Sequence, residues 1–182
     1  NCFAKTYNCV NIDCVFDTTQ GFIGDASYPA YINTNFAATA GTNFTQNNAS
    51  RYFFPYAFSG AGPMDGSIQG GAGSRNKMLL NDSTSHKINQ SGAVPLSSTF
   101  EYTTTVQPKS IHRTSATAVT LFNGTTSASR TNTSEMNGGY LIILAQAGDH
   151  AAHTVAAYAA GASMVAENTD FVAAWNTYIT AL

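Results

Sequence analysis

Two Asn-Gly dipeptides, Asn123-Gly124 and Asn137-Gly138, cut the second half of the chain into segments of strand length. Asn-Gly between alternating segments is a strong hairpin signal, because a type I′ turn needs positive φ at both central residues. Residues 99–106 put Phe100, Tyr102, Thr104 and Val106 on one face, and Gln107-Pro108 ends the segment, since proline cannot donate to a ladder. Residues 111–122 are rich in threonine and β-branched side chains and run into the first turn, with 125–131 as the return strand. Residues 140–147 are apolar on both faces, which is the pattern of a covered central strand. After a turn at Gly148-Asp149, residues 153–160 pair back. The pattern predicts an antiparallel meander from about residue 99 to residue 160.

The first half is looser. Residues 9–16 alternate, with Val10, Ile12, Cys14 and Phe16 on one face, and Pro29 starts a strand over 28–36. Residues 37–50 are small and polar and read as loop. Residues 51–58 hold the densest aromatic cluster, interrupted by Pro55, which points to an edge strand or an extended loop. Six glycines in 59–74 predict a flexible connection. Near the C-terminus Phe171, Trp175, Tyr178 and Leu182 recur at helical spacing, and Asn168 or Thr169 with Asp170 can cap a helix start. The stretch 151–166 suits helix by its alanines and strand by Val155 and Tyr158. The expected fold is mainly β: a single antiparallel β-sandwich or jelly-roll-like domain over 1–182, with room for a short C-terminal helix.

Apolar residues make up 43% of the chain, enough to fill a core. Charged residues make up only 10%, against roughly 25% in an average soluble domain. The net charge is −2 and the eight basic residues are scattered between Lys5 and Arg130, so no footprint for nucleic acid is visible. No apolar run approaches the roughly 20 residues of a membrane span. The chain opens at Asn1 without a signal peptide, and the expectation is that a leader or a larger N-terminal part has been removed.

Cys2, Cys9 and Cys14 crowd the first fourteen residues. On one extended strand Cys9 and Cys14 would lie about 16 Å apart, well beyond the roughly 4.4–6.8 Å of a disulfide. Pairing of Cys2 with Cys9 or Cys14 across a turn is the better expectation, and one thiol is left over. Six N-x-S/T sequons occur, at Asn43, Asn48, Asn81, Asn89, Asn123 and Asn132. In a chain so rich in Asn, Ser and Thr, chance accounts for many of them.

Candidate chemistry is sparse. Asp149-His150-Ala-Ala-His153 would place two imidazoles on one helix face with a carboxylate beside them, a possible metal set. The turn expected at Gly148-Asp149 favours an ordinary polar loop, and no metal or other cofactor is expected. There is no G-x-S-x-G elbow and no G-K-[ST] in the glycine-rich stretch. Tyr52, Phe53, Phe54, Tyr56 and Phe58 could stack on sugar or peptide or anchor an interface, with core packing as the plain alternative.

Low charge, abundant Thr, Ser, Asn, Gly and Ala, and many short strands resemble the composition of viral fibre-tip, decoration and capsid-associated domains and of secreted adhesin modules. That resemblance implies a non-enzymatic structural or receptor-binding module on a virion or another extracellular surface. It would be a homo-oligomer, a trimer by preference, with a host glycan or protein receptor as partner. The alternatives are a secreted hydrolase or lyase acting on polysaccharide, and a filament or pilus-like subunit completed by a neighbour's strand.

Overall fold

The computed structural model describes residues 9–40, 43–67, 76–80, 86–90, 101–136, 139–146 and 149–181. Among the described residues there are fourteen strands, one α-helix and a short 3-10 turn at Ala38–Ala40. The strands are β1 (Val10–Ile12), β2 (Val15–Asp17), β3 (Gly21–Ile23), β4 (Tyr31–Ala37), β5 (Ala49–Ala57), β6 (Gly62–Ser67) and β7 (Lys77–Leu80). They continue with β8 (Lys109–Arg113), β9 (Ala118–Asn123), β10 (Thr126–Thr131), β11 (Tyr140–Ile143), β12 (Ala145–Gln146), β13 (Asp149–His150) and β14 (Thr154–Gly161). Helix α1 spans Asn168–Ala181. One sheet has the order β1-β4-β11-β6-β7 and the other β10-β9-β8-β5-β14-β3-β2, with β12-β13 as a separate hairpin. Neighbouring strands within the sheets pair antiparallel.

The two sheets face each other across one core. Ile32, Met64, Met78, Leu141 and Ile143 from the smaller sheet meet Phe53, Ile111, Val119, Leu121 and Val155 from the larger. Burying each such side chain contributes about 1.5–3 kcal/mol. A second cluster lies on the outer face of the larger sheet, where Tyr52 and Phe54 of β5 pack under Trp175 of α1, flanked by Phe171 and Ile179. The sandwich and the C-terminal helix match the sequence expectation.

The details of the meander do not. Only β8, β9 and β10 form one, and β11 leaves for the other sheet, between β4 and β6. Residues 111–122 are two strands split by a turn in which Ser115 Oγ accepts from Thr117 N at 3.2 Å and Ala118 N at 3.0 Å. Residues 101–106 form no strand, and Tyr102 makes a single parallel bridge to Leu80. The hairpin after β9 turns on Gly124-Thr125, because Asn123 still pairs with Thr126. Gly124 supplies the positive φ, +62°. Asn137-Gly138 lies outside the described residues.

Residues 9–16 are likewise broken, at Asp13 with φ 55°. The Asn11 side chain clamps this corner, donating to Cys14 O at 2.9 Å and accepting from Cys14 N at 3.1 Å. The corner sends β1 to one sheet and β2 to the other. The glycine-rich stretch contains β6, an interior strand of the smaller sheet. Finally β5 is central, paired with β8 and β14. Pro55 is tolerated because it sits opposite Val155, where the β14–β5 register shifts; a bulge spares the missing N–H.

Candidate functional site

The aromatic cluster of β5 is divided by the period-two alternation of a strand. Phe53 points into the core between the sheets, while Tyr52 and Phe54 point out under α1, and all three are buried. The Tyr52 hydroxyl donates to Met164 O at 3.1 Å. Of the five sequence candidates only Tyr56 and Phe58 are half-buried rather than buried. Tyr52, Phe53 and Phe54 are thus packed against the protein's own side chains.

The proposed metal set does not converge. The His150 ring lies 6.1 Å from that of Tyr31, whereas His153 is fully buried with its ring 5.2 Å from Phe58. His153 Nδ1 accepts from Ser59 N at 3.3 Å, and burial lowers its pKa. Asp149 is exposed in the β12–β13 hairpin. Among the described residues no three His, Cys, Asp or Glu side chains gather as a metal site. Cys9 is disulfide-bonded and Cys14 carries a free thiol, buried, with its pKa raised by that burial to about 11. Cys2 lies outside the described residues.

Sequence reasoning missed where the basic residues go. Arg51, Lys87, Lys109, Arg113 and Arg130 are all buried. Acids instead occupy the surface, at Asp13, Asp25, Glu101, Asp149, Glu167 and Asp170. The inward-pointing arginines form a polar layer between the sheets. Arg51 Nη1 pairs with Asp65 Oδ1 at 2.7 Å, and the Tyr158 hydroxyl donates to Asp65 Oδ2 at 2.7 Å. Arg51 Nη2 also donates to Lys87 O, and Arg113 Nε donates to Ile88 O at 2.8 Å. Segment 86–90, wholly buried, thus threads its carbonyls onto guanidinium groups.

Lys109 Nζ donates to Thr105 O at 2.8 Å, to Thr105 Oγ1 at 3.0 Å and to Asn123 Oδ1, with the Phe58 ring 5.5 Å away. Burial pulls its pKa down to about 7, but three acceptors satisfy its three protons. Asn123 and Asn132 are tied up in these networks and Asn89 is fully buried. The side chains of Asn123 and Asn132 are thus half-buried and engaged within the fold and Asn89 is interior, while Asn43 and Asn48 are exposed and Asn81 lies outside the described residues.

What remains on the surface is an apolar margin built by the first two strands. β1 and β2 are the edges of the two sheets. Val10, Val15 and Phe16 are 43%, 65% and 57% exposed, and the Phe16 ring packs tilted against Phe22 of β3, 4.9 Å between centroids. Val10, Ile12, Tyr31 and Asn33 share one face, because Val10 pairs with Asn33 and Ile12 with Tyr31. Tyr28, 69% exposed, stands just before β4. The alternation over residues 9–16 predicts extended chain but not that both strands are edges, because sheet order is a tertiary property. No helix among the described residues is long and apolar enough to cross a membrane.

No protein-family model matches the sequence, and no curated protein matches it. Among solved structures, domain 4 of AbnA, a GH43 extracellular arabinanase from Geobacillus stearothermophilus in complex with arabinotriose, aligns with 14% identity. The alignment covers 87% of this chain and 80% of that chain at a TM-score of 0.47, which defines no common family.

Proposed function

We propose that this protein is a non-catalytic structural or binding module of an extracellular or virion surface, self-associating through the β1–β2 margin. The observation that carries the reading is the exposure of Val10, Val15 and Phe16 on two edge strands. Open edges invite pairing with another chain, and proteins usually blunt them with lysine or other charge. Here Arg51, Lys87, Lys109, Arg113 and Arg130 are buried, and among the described residues the charges nearest β2 are Asp17 at its end and Asp13 before it, with no described lysine beside the exposed Val15 and Phe16. Burial of His86, His112 and His153, and the use of Arg51, Asp65 and Lys109 as braces, also favour structure over chemistry.

The test is mass in solution. Light scattering at micromolar concentration is expected to give a multiple of the 19.2 kDa chain mass, and Phe16→Lys with Val15→Lys should return it to the monomer without loss of fold. A wild-type mass that stays at one chain as concentration rises would sink the proposal.

A further inference from the structure

Among the described residues the polar layer between the sheets carries more positive than negative charge. Arg51, Arg113 and Arg130 are there, and Asp65, engaged by Arg51 and Tyr158, is the one carboxylate bonded to them among the described residues. Arg113 is satisfied by neutral acceptors: Ile88 O, Asn132 O at 3.1 Å and Asn132 Oδ1. Arg130, on the inner face of the edge strand β10, is not. Its Nη2 makes only a long contact, 3.5 Å, to Gln90 Oε1, and its Nε and Nη1 have no partner.

The neighbouring amide cannot turn to help. Arg113 Nη2 donates to Asn132 Oδ1, so the other end of that amide, Nδ2, is the donor that reaches Gln90 Oε1 at 2.7 Å. Gln90 Oε1 is thereby held as an acceptor, and Gln90 Nε2 is left as a second orphaned donor group. Both residues are more than nine-tenths buried, Arg130 at 8% and Gln90 at 1% exposure. The three orphaned atoms on these two touching residues are all nitrogen donors, beside two guanidinium charges. A water molecule could accept from two of them and would leave the charge unbalanced. A buried charge without a counter-charge is strongly unfavourable, and an anion meets both needs. Arg113 feels the same imbalance: burial and the neighbouring Arg130 charge lower its pKa to about 10.

We propose that the sandwich binds a small inorganic anion, chloride or a tetrahedral oxyanion, between β10 and segment 86–90, held by Arg130 Nε and Nη1 and by Gln90 Nε2. The anion strengthens the last link of the series Arg113–Asn132–Gln90–Arg130 and couples the margin of the larger sheet to the buried segment. It is a structural ligand, independent of the surface function proposed above.

The test is thermal unfolding of the full chain, dialysed into sodium gluconate and titrated at constant ionic strength with sodium chloride or with sodium sulfate. The melting temperature should climb and saturate with one of the two salts, by roughly 5–10 °C at a hundredfold excess over Kd. Response to chloride alone identifies a monatomic ion, and response to sulfate alone an oxyanion. The decisive variant is Gln90→Glu, which keeps the acceptor oxygen and replaces the orphaned donor by a carboxylate of the protein's own. It should melt higher than wild type in gluconate and respond at least tenfold less to the anion. In crystals soaked in bromide, or in selenate if sulfate is the active salt, an anomalous peak should lie beside the Arg130 and Gln90 nitrogens, in direct hydrogen-bonding contact for bromide and one Se–O bond further out for selenate. No saturable response in wild type, or an equal response in wild type and Gln90→Glu, overturns the site.

Discussion

At the scale of single residues the protein is governed by where its few charges sit. Arg51 and Asp65 are both fully buried and meet at 2.7 Å, so each is tolerable only because of the other. Asp65→Asn leaves the Arg51 guanidinium without its counter-charge and should cost about 3–5 kcal/mol in chemical denaturation. His112 is a second such residue. Its Nδ1 accepts from Met164 N at 3.3 Å and its Nε2 lies 2.9 Å from Ser110 Oγ. Burial lowers its pKa from 6.5 to about 4. The folded chain therefore refuses a proton that the unfolded chain takes up below about pH 6.5. The resulting stability is complete above pH 6.5 and is lost as pH falls toward 4, about 3 kcal/mol in all. Denaturation of His112→Asn across that range should show a correspondingly shallower decline than wild type.

At the scale of elements, each strand's worth depends on its neighbours. β11 lies between β4 and β6, and Leu141, Ile142 and Ile143 are buried. Ile142→Ala should lower unfolding free energy by roughly 2–5 kcal/mol; a loss below half a kcal/mol would show that β11 is not central. Helix α1 shows how an element is attached. Asn168 does not cap it: its side chain is buried, donating to Gly124 O at 3.0 Å and accepting from Ser110 Oγ at 3.1 Å. Trp175 supplies the apolar half of the joint, 5.3 Å from Phe54. Trp175→Ala should cost about 3–5 kcal/mol and release α1 from the sheet, seen as loss of amide protection over 168–181 with the sandwich still protected.

At the scale of the whole molecule, the described chain turns five basic side chains and Asp65 inward, leaves its other described acids half-buried or exposed, and closes one side with a two-strand corner of exposed apolar residues. The first arrangement binds the sheets to segment 86–90, and the second offers a surface for association. Neither involves a metal set. Prolonged chelation should leave the melting temperature unchanged, and a fall restored by zinc would return Asp149, His150 and His153 to consideration as ligands.

The sequence alone determined the β class, the buried core strand around Ile142, the hairpin that follows β9 and the C-terminal helix. These are local or periodic signals: alternation, an apolar run, a glycine able to take positive φ, and apolar residues at helical spacing. Tertiary structure decided what local pattern cannot carry. Pro55 read as an edge, yet a bulge opposite Val155 admits it to a central strand. Residues 9–16 read as one alternating segment, yet the clamp of Asn11 on Cys14 divides them between sheets. Arginine reads as surface in any composition, because burying it costs several kcal/mol unless partners are in place. Those partners, Asp65, Lys87 O, Ile88 O and Asn132, come from distant parts of the chain and exist as a set only once the two sheets have closed.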